Sequence, residues 1–481
     1  MMRRVDRIQK SLPGALAARR LALRTSMPLQ SSVASRAQYS QAVAVAGPAA
    51  EEPSPPSNGA DEFWRKVPMW KDVSTDEFIS WSWTKKNVVE HHSRSAPESL
   101  KGILASVLPD HVPFTSNASL VQSREEFIKD IFGGIAESSM SLRIMPHVFS
   151  RINWQDPRHD PIFRQFIPLK SLIQPDHPKS NYDSLHENHD SPVNGLVHRY
   201  PDKALFLHEA DPEAMGGGLQ VHRGHPTDHR RCRVGGDAYY LSPEQLAYIG
   251  ERLIKIPNVK KFRIASKGLG VAPNRILDPN DQWSDALLWV HRLALKAGKR
   301  AALHTHINHP DEISWMTEEA CRKLIEGGLT IRNQSVLLHG INDNAQTISK
   351  LIRALAEDLR ISPYYVYQCD MVKKVEHLRT PLQTIMDIEA KIRGSIAGFD
   401  MPQFIVDLPE GGGKRLAGSY LSYDRDTGVS RYMAPAVTGG GTKENKVYEY
   451  YDPLPPTAQM DLTLRSLGVP TNRLSPLVLV S

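Results

Sequence analysis

Between residues 203 and 407 short apolar runs alternate with amphipathic stretches, and few architectures accept that alternation. The runs fall at 204–207, 262–265, 301–304, 335–338, 364–367 and 403–406. Between them, 243–255, 284–296, 317–326 and 344–359 carry apolar residues at helical spacing. Strands that are apolar on both faces need cover on both faces, so the predicted class is α/β. A parallel sheet wrapped by helices is expected, open or curled into a (β/α) barrel. In such folds the chemistry sits just past the carboxyl ends of the strands. That rule singles out His304, His306, Asn308, His309, Asp370 and Asp407. No internal repeat is present.

The pI near 9.0 would suit a nucleic-acid binder, but much of the excess charge lies in the first forty residues. There Arg3, Arg4, Arg7, Lys10, Arg19, Arg20, Arg24 and Arg36 face only Asp6. A basic, Ser/Ala-rich, acid-poor start is the composition of a mitochondrial presequence, so 1–41 is set apart from the fold. Residues 42–62, with Pro53, Pro55, Pro56 and Gly59, read as a linker. No apolar run approaches the roughly 18–20 residues of a membrane helix, so a soluble mature protein is expected. Cys232, Cys321 and Cys369 are too widely spaced for a disulfide framework. Structure is expected from Phe63, with Ser74-Thr75-Asp76-Glu77 as a capping box. Phe78, Ile79, Trp81 and Trp83 would form the apolar side of the helix that follows. The pattern stays helical to about residue 170, interrupted at Pro146, Pro157, Pro161 and Pro168.

Several clusters could carry chemistry. Gly411-Gly412-Gly413-Lys414 brings backbone N–H groups and an amine together, which suits a phosphate or an aldehyde. It is not a nucleotide-triphosphate loop, since Leu408 and Arg415 break that pattern. A plain glycine-rich turn is the simpler account. Asp370 and Asp407 at strand ends suit a cationic group such as an ammonium, or each caps a turn. Gly235-Gly236-Asp237 could form a strand-end turn that reaches an amino group. His304 and His306 share a strand face as a metal pair would, but no third ligand stands nearby, so polar lining is expected. His222, His225, His229 and Cys232 have metal-like spacing.

From about Trp64 to Pro453 the chain resembles the lysine 2,3-aminomutase family, most closely its fungal members. The resemblance is carried in order by Trp70-Lys71-Asp72-Val73-Ser74, Trp81-Ser82-Trp83, Asp190-Ser191-Pro192-Val193 and His198-Arg199-Tyr200-Pro201-Asp202. It continues through Asn308-His309-Pro310, the segments 333–338 and 364–370, Arg379-Thr380-Pro381, and Asp407 with the glycine-rich lysine. The resemblance implies a radical S-adenosylmethionine fold, a partial (β/α) barrel of about six strands spanning 201–400. N-terminal helices (63–200) and a C-terminal extension (401–481) would flank it. It implies that the 2-amino group of L-lysine moves to carbon 3, by a radical drawn from S-adenosylmethionine, with pyridoxal 5′-phosphate as amine carrier. Lys414 would hold pyridoxal phosphate, with Tyr367 beside the ring and Arg199 and Tyr200 near it. Asp370 and Asp407 would bind the ε-ammonium of lysine, and Gly235, Gly236 and Asp237 the S-adenosylmethionine. An external electron donor and homo-oligomer formation are expected; nucleic acid and membrane are not. Glu410 replaces a family glycine, and His339 a usual arginine.

The larger departure follows Leu207. There the family carries C-x3-C-x2-C, whose thiolates hold a [4Fe–4S] cluster, and then arginines. Here the chain reads His208-Glu209-Ala210-Asp211-Pro212-Glu213-Ala214-Met215. Met215 and Gly216 force the bases TGG, tryptophan, when the frame moves by one. The shifted codons then permit an amphipathic helix, a Thr-Pro break and a valine-rich strand entering Gly235. Residues 208–234 are therefore read as out of frame, the first crossover as corrupted, and the histidine–cysteine cluster as an accident of frame. As written, the chain is expected to be inactive as a mutase. The alternatives are a pyridoxal-phosphate- or lysine-binding relative that has lost its cluster and, last, a zinc-dependent regulator.

Overall fold

The computed structural model describes residues 61–91, 97–116, 118–139, 141–191, 196–200, 203–207, 231–235, 237–435 and 445–455. The basic segment 1–41, the linker to residue 60, Gly236, His222, His225 and His229 lie outside the described residues. Four short strands come first: β1 (Val89–His91), β2 (His111–Pro113), β3 (Val121–Ser123) and β4 (Leu142–Ile144). They pair as β1 with β4 and β2 with β3, so the N-terminal region is helical with two small sheets let into it.

The central sheet contains β5 (Leu196–Tyr200), β6 (Lys203–Leu207), β7 (Arg231–Gly235), β8 (Lys261–Ala265) and β9 (Arg300–Thr305). It continues through β10 (Thr330–Leu337), β11 (Ser362–Gln368), β12 (Gln403–Leu408) and β13 (Gly413–Leu416). These nine strands lie in sequence order. Every neighbour from β6 to β12 is parallel, while β5 and β13 finish the two edges antiparallel. Strand twist curls the sheet into a half-barrel. Among the described residues neither edge strand pairs further, so the barrel stays open. Helices such as Pro243–Ile254, Trp283–Lys296 and Trp315–Glu326 cover it, close to where their apolar spacing puts them. A three-stranded sheet, β14 (Ser422–Asp424), β15 (Val429–Met433) and β16 (Val447–Tyr451), completes the C-terminal part.

Three differences from the sequence reading have physical causes. β7 lies inside the stretch read as out of frame, yet its backbone pairs in parallel with both β6 and β8. Ladder hydrogen bonds come from main-chain groups, so a slot between two strands accepts side chains of many kinds. Cys232 is thus part of a ladder strand. β10 begins five residues before the expected 335, because Arg332 and Gln334 interrupt the apolar run on one face while Ile331, Asn333 and Ser335 are buried on the other. The expected helix after Ser74 is two helices, Thr75–Ile79 and Trp81–Lys86. Ser74 caps the first by accepting from the Glu77 N–H, and Ser80 ends it and caps the second.

The N-terminal region packs its aromatics together, with Trp64 stacked on Phe78 at 4.3 Å and Trp70 edge-on to Phe149 at 5.7 Å. It joins the barrel through polar contacts. The Trp81 N–H donates to Asp278 at 2.7 Å, and His147 Nε2 meets Ser314 Oγ at 2.8 Å in a fully buried position. Burial, helped by the nearby Arg151 charge, pushes the His147 imidazole down to about 3. Its folded value lies below the unfolded one, so its contribution is complete above pH 6.5 and is lost as pH falls toward about 3. Stability should fall by about 1.4 kcal/mol per pH unit in that window for this one proton. Urea midpoints measured between pH 7 and 4 are expected to drop, and His147→Gln to flatten the drop; an unchanged slope would contradict the assignment.

Tyr239 lies between Trp283, 4.7 Å away, and the backbone of Gly268. A Cβ at Gly268 would sit 2.1 Å from the Tyr239 ring, which has Trp81 and Trp283 at its other sides. Gly268→Ala is expected to destabilise the fold by roughly 1–3 kcal/mol through overpacking, read as a lower urea midpoint.

Candidate active site

β12 delivers Asp407 to the carboxyl end of the sheet, and the turn from Pro409 to Gly413 sends the chain straight back as β13. The turn needs left-handed backbone at Glu410 (φ 55°), Gly411 (φ 76°) and Gly413 (φ 84°). Glycine adopts that region without strain, whereas a residue with a Cβ costs about 1–2 kcal/mol there. The glycine that the resemblance implies in place of Glu410 would have a conformational reason. Here Glu410 is held by its N–H, which donates to the Ser184 carbonyl at 2.8 Å.

Antiparallel register sets Lys414 level with Asp407. Their side chains form an ion pair; Asp407 is 4% exposed and Lys414 20%. The Lys414 Nζ lies over the Tyr367 ring, 4.8 Å from its centre. Tyr367 Oη accepts from Gln334 Nε2 at 3.1 Å. Gln334 Oε1 accepts in turn from Arg263 Nη1 at 3.1 Å, and His304 Nδ1 accepts from the same nitrogen at 2.9 Å. A polar row thus crosses the sheet from β8 to β13. Asp370, half-buried, follows β11 at the same carboxyl end as Asp407 on the adjacent strand. The loop beyond it is fastened from outside the barrel, by the Asn181 N–H on the Met371 carbonyl and by Asp176 on the Lys374 N–H.

The other expected residues divide. Gly235 ends β7. Asp237 turns its carboxylate to its own chain, accepting from Ser266 Oγ at 2.6 Å, the Tyr239 N–H and the Lys267 N–H. It therefore joins the ends of β7 and β8. Arg199 and Tyr200 belong to β5, the edge opposite β13. The dense imidazole segment splits by role. His304 joins the polar row, while burial and the Lys267 charge push His306 down to about 3. Asn308 ties the loop after β9 to β10 and the loop beyond it, its side-chain oxygen accepting from the Val336 N–H at 2.9 Å and its carbonyl from Asn342 Nδ2 at 2.8 Å. His309 accepts from the Asp311 N–H. Among the described residues no group of three or more possible metal ligands gathers. Burial pushes the thiols of Cys321 and Cys369 up to about 12.

Arg263 and Gln334 were not singled out from the sequence. The signal was available for Gln334, since period-2 alternation in β10 puts it on the face opposite buried Asn333 and Ser335. Arg263 interrupts an apolar strand without any motif around it.

No family model matches the chain. Individual proteins do. An L-lysine 2,3-aminomutase of Clostridium subterminale is 33% identical over 400 residues, covering 78% of this chain and 86% of that protein. One of Acetoanaerobium sticklandii is 32% identical over 371 residues, covering 73% and 80%. A glutamate 2,3-aminomutase of Clostridioides difficile is 27% identical over 318 residues, 62% of this chain and 71% of that protein. Identity of this extent, over most of both chains, shows that the chain belongs to the L-lysine 2,3-aminomutase family.

Proposed function

We propose that the gene encodes an aminomutase, an isomerase that moves the 2-amino group of L-lysine to carbon 3. The observation that carries this reading is the pairing of Lys414 with Asp407 beside the Tyr367 ring, next to the strand-end carboxylate of Asp370. These residues fit pyridoxal phosphate: a partly accessible amine and one aromatic face stand together. Bound there, the cofactor supplies an aldehyde for the amine and a conjugated ring that can share an unpaired electron.

Lys414 is the proposed anchor, with Tyr367 flanking the ring and Arg199 and Tyr200 in the stretch proposed to lie near the cofactor. Asp407 already holds one primary ammonium, that of Lys414. Once that amine is committed elsewhere, Asp407 and Asp370 offer two carboxylates to the ε-ammonium of lysine. Two negative groups favour lysine over an amino acid ending in a carboxylate. Gly235, Gly236 and Asp237 are proposed to meet the amino-acid part of S-adenosylmethionine. The parallel strands are read as the partial (β/α) barrel of radical S-adenosylmethionine enzymes, in which an external electron donor serves the reaction. Residues 1–41 are read as a mitochondrial address, and assembly into homo-oligomers is proposed.

An iron–sulfur cluster does not fit the residues present. Its irons need closely spaced thiolates, whereas Cys232, Cys321 and Cys369 lie far apart in the chain and the last two are buried thiols whose acidity burial weakens. As written, the chain is therefore proposed to be inactive as a mutase. One reading is that the cysteine segment before residue 208 was lost and 208–234 read out of frame. The second reading, favoured by the same lack of ligands, is a binding relative that keeps pyridoxal phosphate and lysine without turnover.

Two measurements test this. Borohydride reduction of the protein mixed with pyridoxal phosphate, followed by peptide mass analysis, is expected to leave the pyridoxyl group on Lys414 and none in Lys414→Ala. Labelling spread over other lysines would overturn the assignment. Sequencing the transcript across the codons from Leu207 to Asp237 is expected to reveal C-x3-C-x2-C and a valine strand. A transcript that encodes His208 directly after Leu207 and runs unbroken to Val234 would leave only the binding reading.

A further inference from the structure

Tyr450 stands in β16, 81 residues after Cys369, yet its phenol donates to the Cys369 carbonyl at 2.8 Å. That carbonyl belongs to the peptide bond that leads into Asp370. Behind the phenol lies a buried ion pair: Arg379 Nη1 donates to Glu376 Oε2 at 2.8 Å, with both side chains fully enclosed. Arg379 Nη2 donates to Tyr450 Oη at 3.3 Å and to the Tyr451 carbonyl. The other Glu376 oxygen accepts from the Leu454 N–H at 3.2 Å. Two of these links form a relay in one direction, from the Arg379 guanidinium to the phenol and from the phenol to the Cys369 carbonyl. Burial pushes the Tyr450 phenol up to about 12, so it stays an O–H donor at neutral pH. On the other side of Asp370, the Met371 carbonyl is taken by the Asn181 N–H at 3.3 Å.

We propose that Glu376, Arg379 and Tyr450 are positioning residues for Asp370, and that through it they set the preference for an amino acid with a distal ammonium. None of the three needs to touch substrate; they act through the main chain on either side of the carboxylate. Asp370 follows the end of β11, and a carboxylate on such a loop selects a charge only if its backbone is held. The proposal rests on the reading of Asp370 as part of the ammonium site, and its test separates the two.

The full chain loaded with pyridoxal phosphate is titrated with L-lysine and with L-norleucine, which has the same carbon chain and no ε-ammonium, following the cofactor absorbance. The unaltered protein is expected to prefer lysine. Tyr450→Phe is expected to weaken lysine by about tenfold, the worth of one hydrogen bond to a charged-site scaffold, and to leave norleucine and cofactor stoichiometry unchanged. Glu376→Gln, which keeps shape while loosening Arg379, should do the same and serves if Tyr450→Phe does not fold. A lysine preference retained in the folded variants would overturn the positioning role alone, as would equal weakening of both ligands. No preference in the unaltered protein would overturn the ammonium site, and the positioning role with it.

Discussion

Opposite charges that share a register position, Asp407 on β12 and Lys414 on β13, decide which way the end of the barrel faces. A slip of one residue would carry Lys414 to the other face of its strand and leave Asp407 without the charge beside it. The turn that sets this register has little freedom, since three of its five residues adopt left-handed backbone. In a setting with little water the attraction between the pair is several times its value in bulk solvent. Glycine flexibility, strand register and electrostatics thus converge on one amine.

The same end of the barrel is braced from both termini. The segment around residues 176–184 fastens the loops that follow β11 and β12, while β16 reaches the end of β11 from the far side. At the heart of that second brace is the enclosed Arg379–Glu376 pair. Such a pair adds little net stability over apolar packing, but removing one partner costs about 3–5 kcal/mol because the other charge stays buried. It therefore behaves as a geometric fixture. Gln368, the last residue of β11, donates to Thr380 next to Arg379, so strand end and fixture are tied to each other.

Much of this could be read before the structure was known, and the reasons are local. β8, β9, β11 and β12 fall where short apolar runs put them, because apolar strands in a covered parallel sheet leave a plain signal. Asp407 and Asp370 stood out as carboxylates at strand ends, and Lys414 because it follows three glycines. Less was legible where contacts link distant residues. β10 was placed late because Arg332 and Gln334 line the polar face that the site needs. Tyr450 gave no sign of its partner, 81 residues away. Asn308 and His309, which their place past a strand end singled out, accept from backbone N–H groups, and a polar side chain fixing backbone and one awaiting a ligand have the same letter in a sequence.

The contact between Tyr450 and the Cys369 carbonyl also bears on synthesis. Domains fold as units while the chain emerges from its N-terminal end. The sheet through β12 can form once its own residues have left the ribosome, but the end of β11 gains its brace only when β16 follows. During that interval the nascent chain holds an incompletely tied mouth above a nearly finished barrel. A truncated product ending before β16 would keep the amine and both carboxylates while lacking the strand that trims one of them into place.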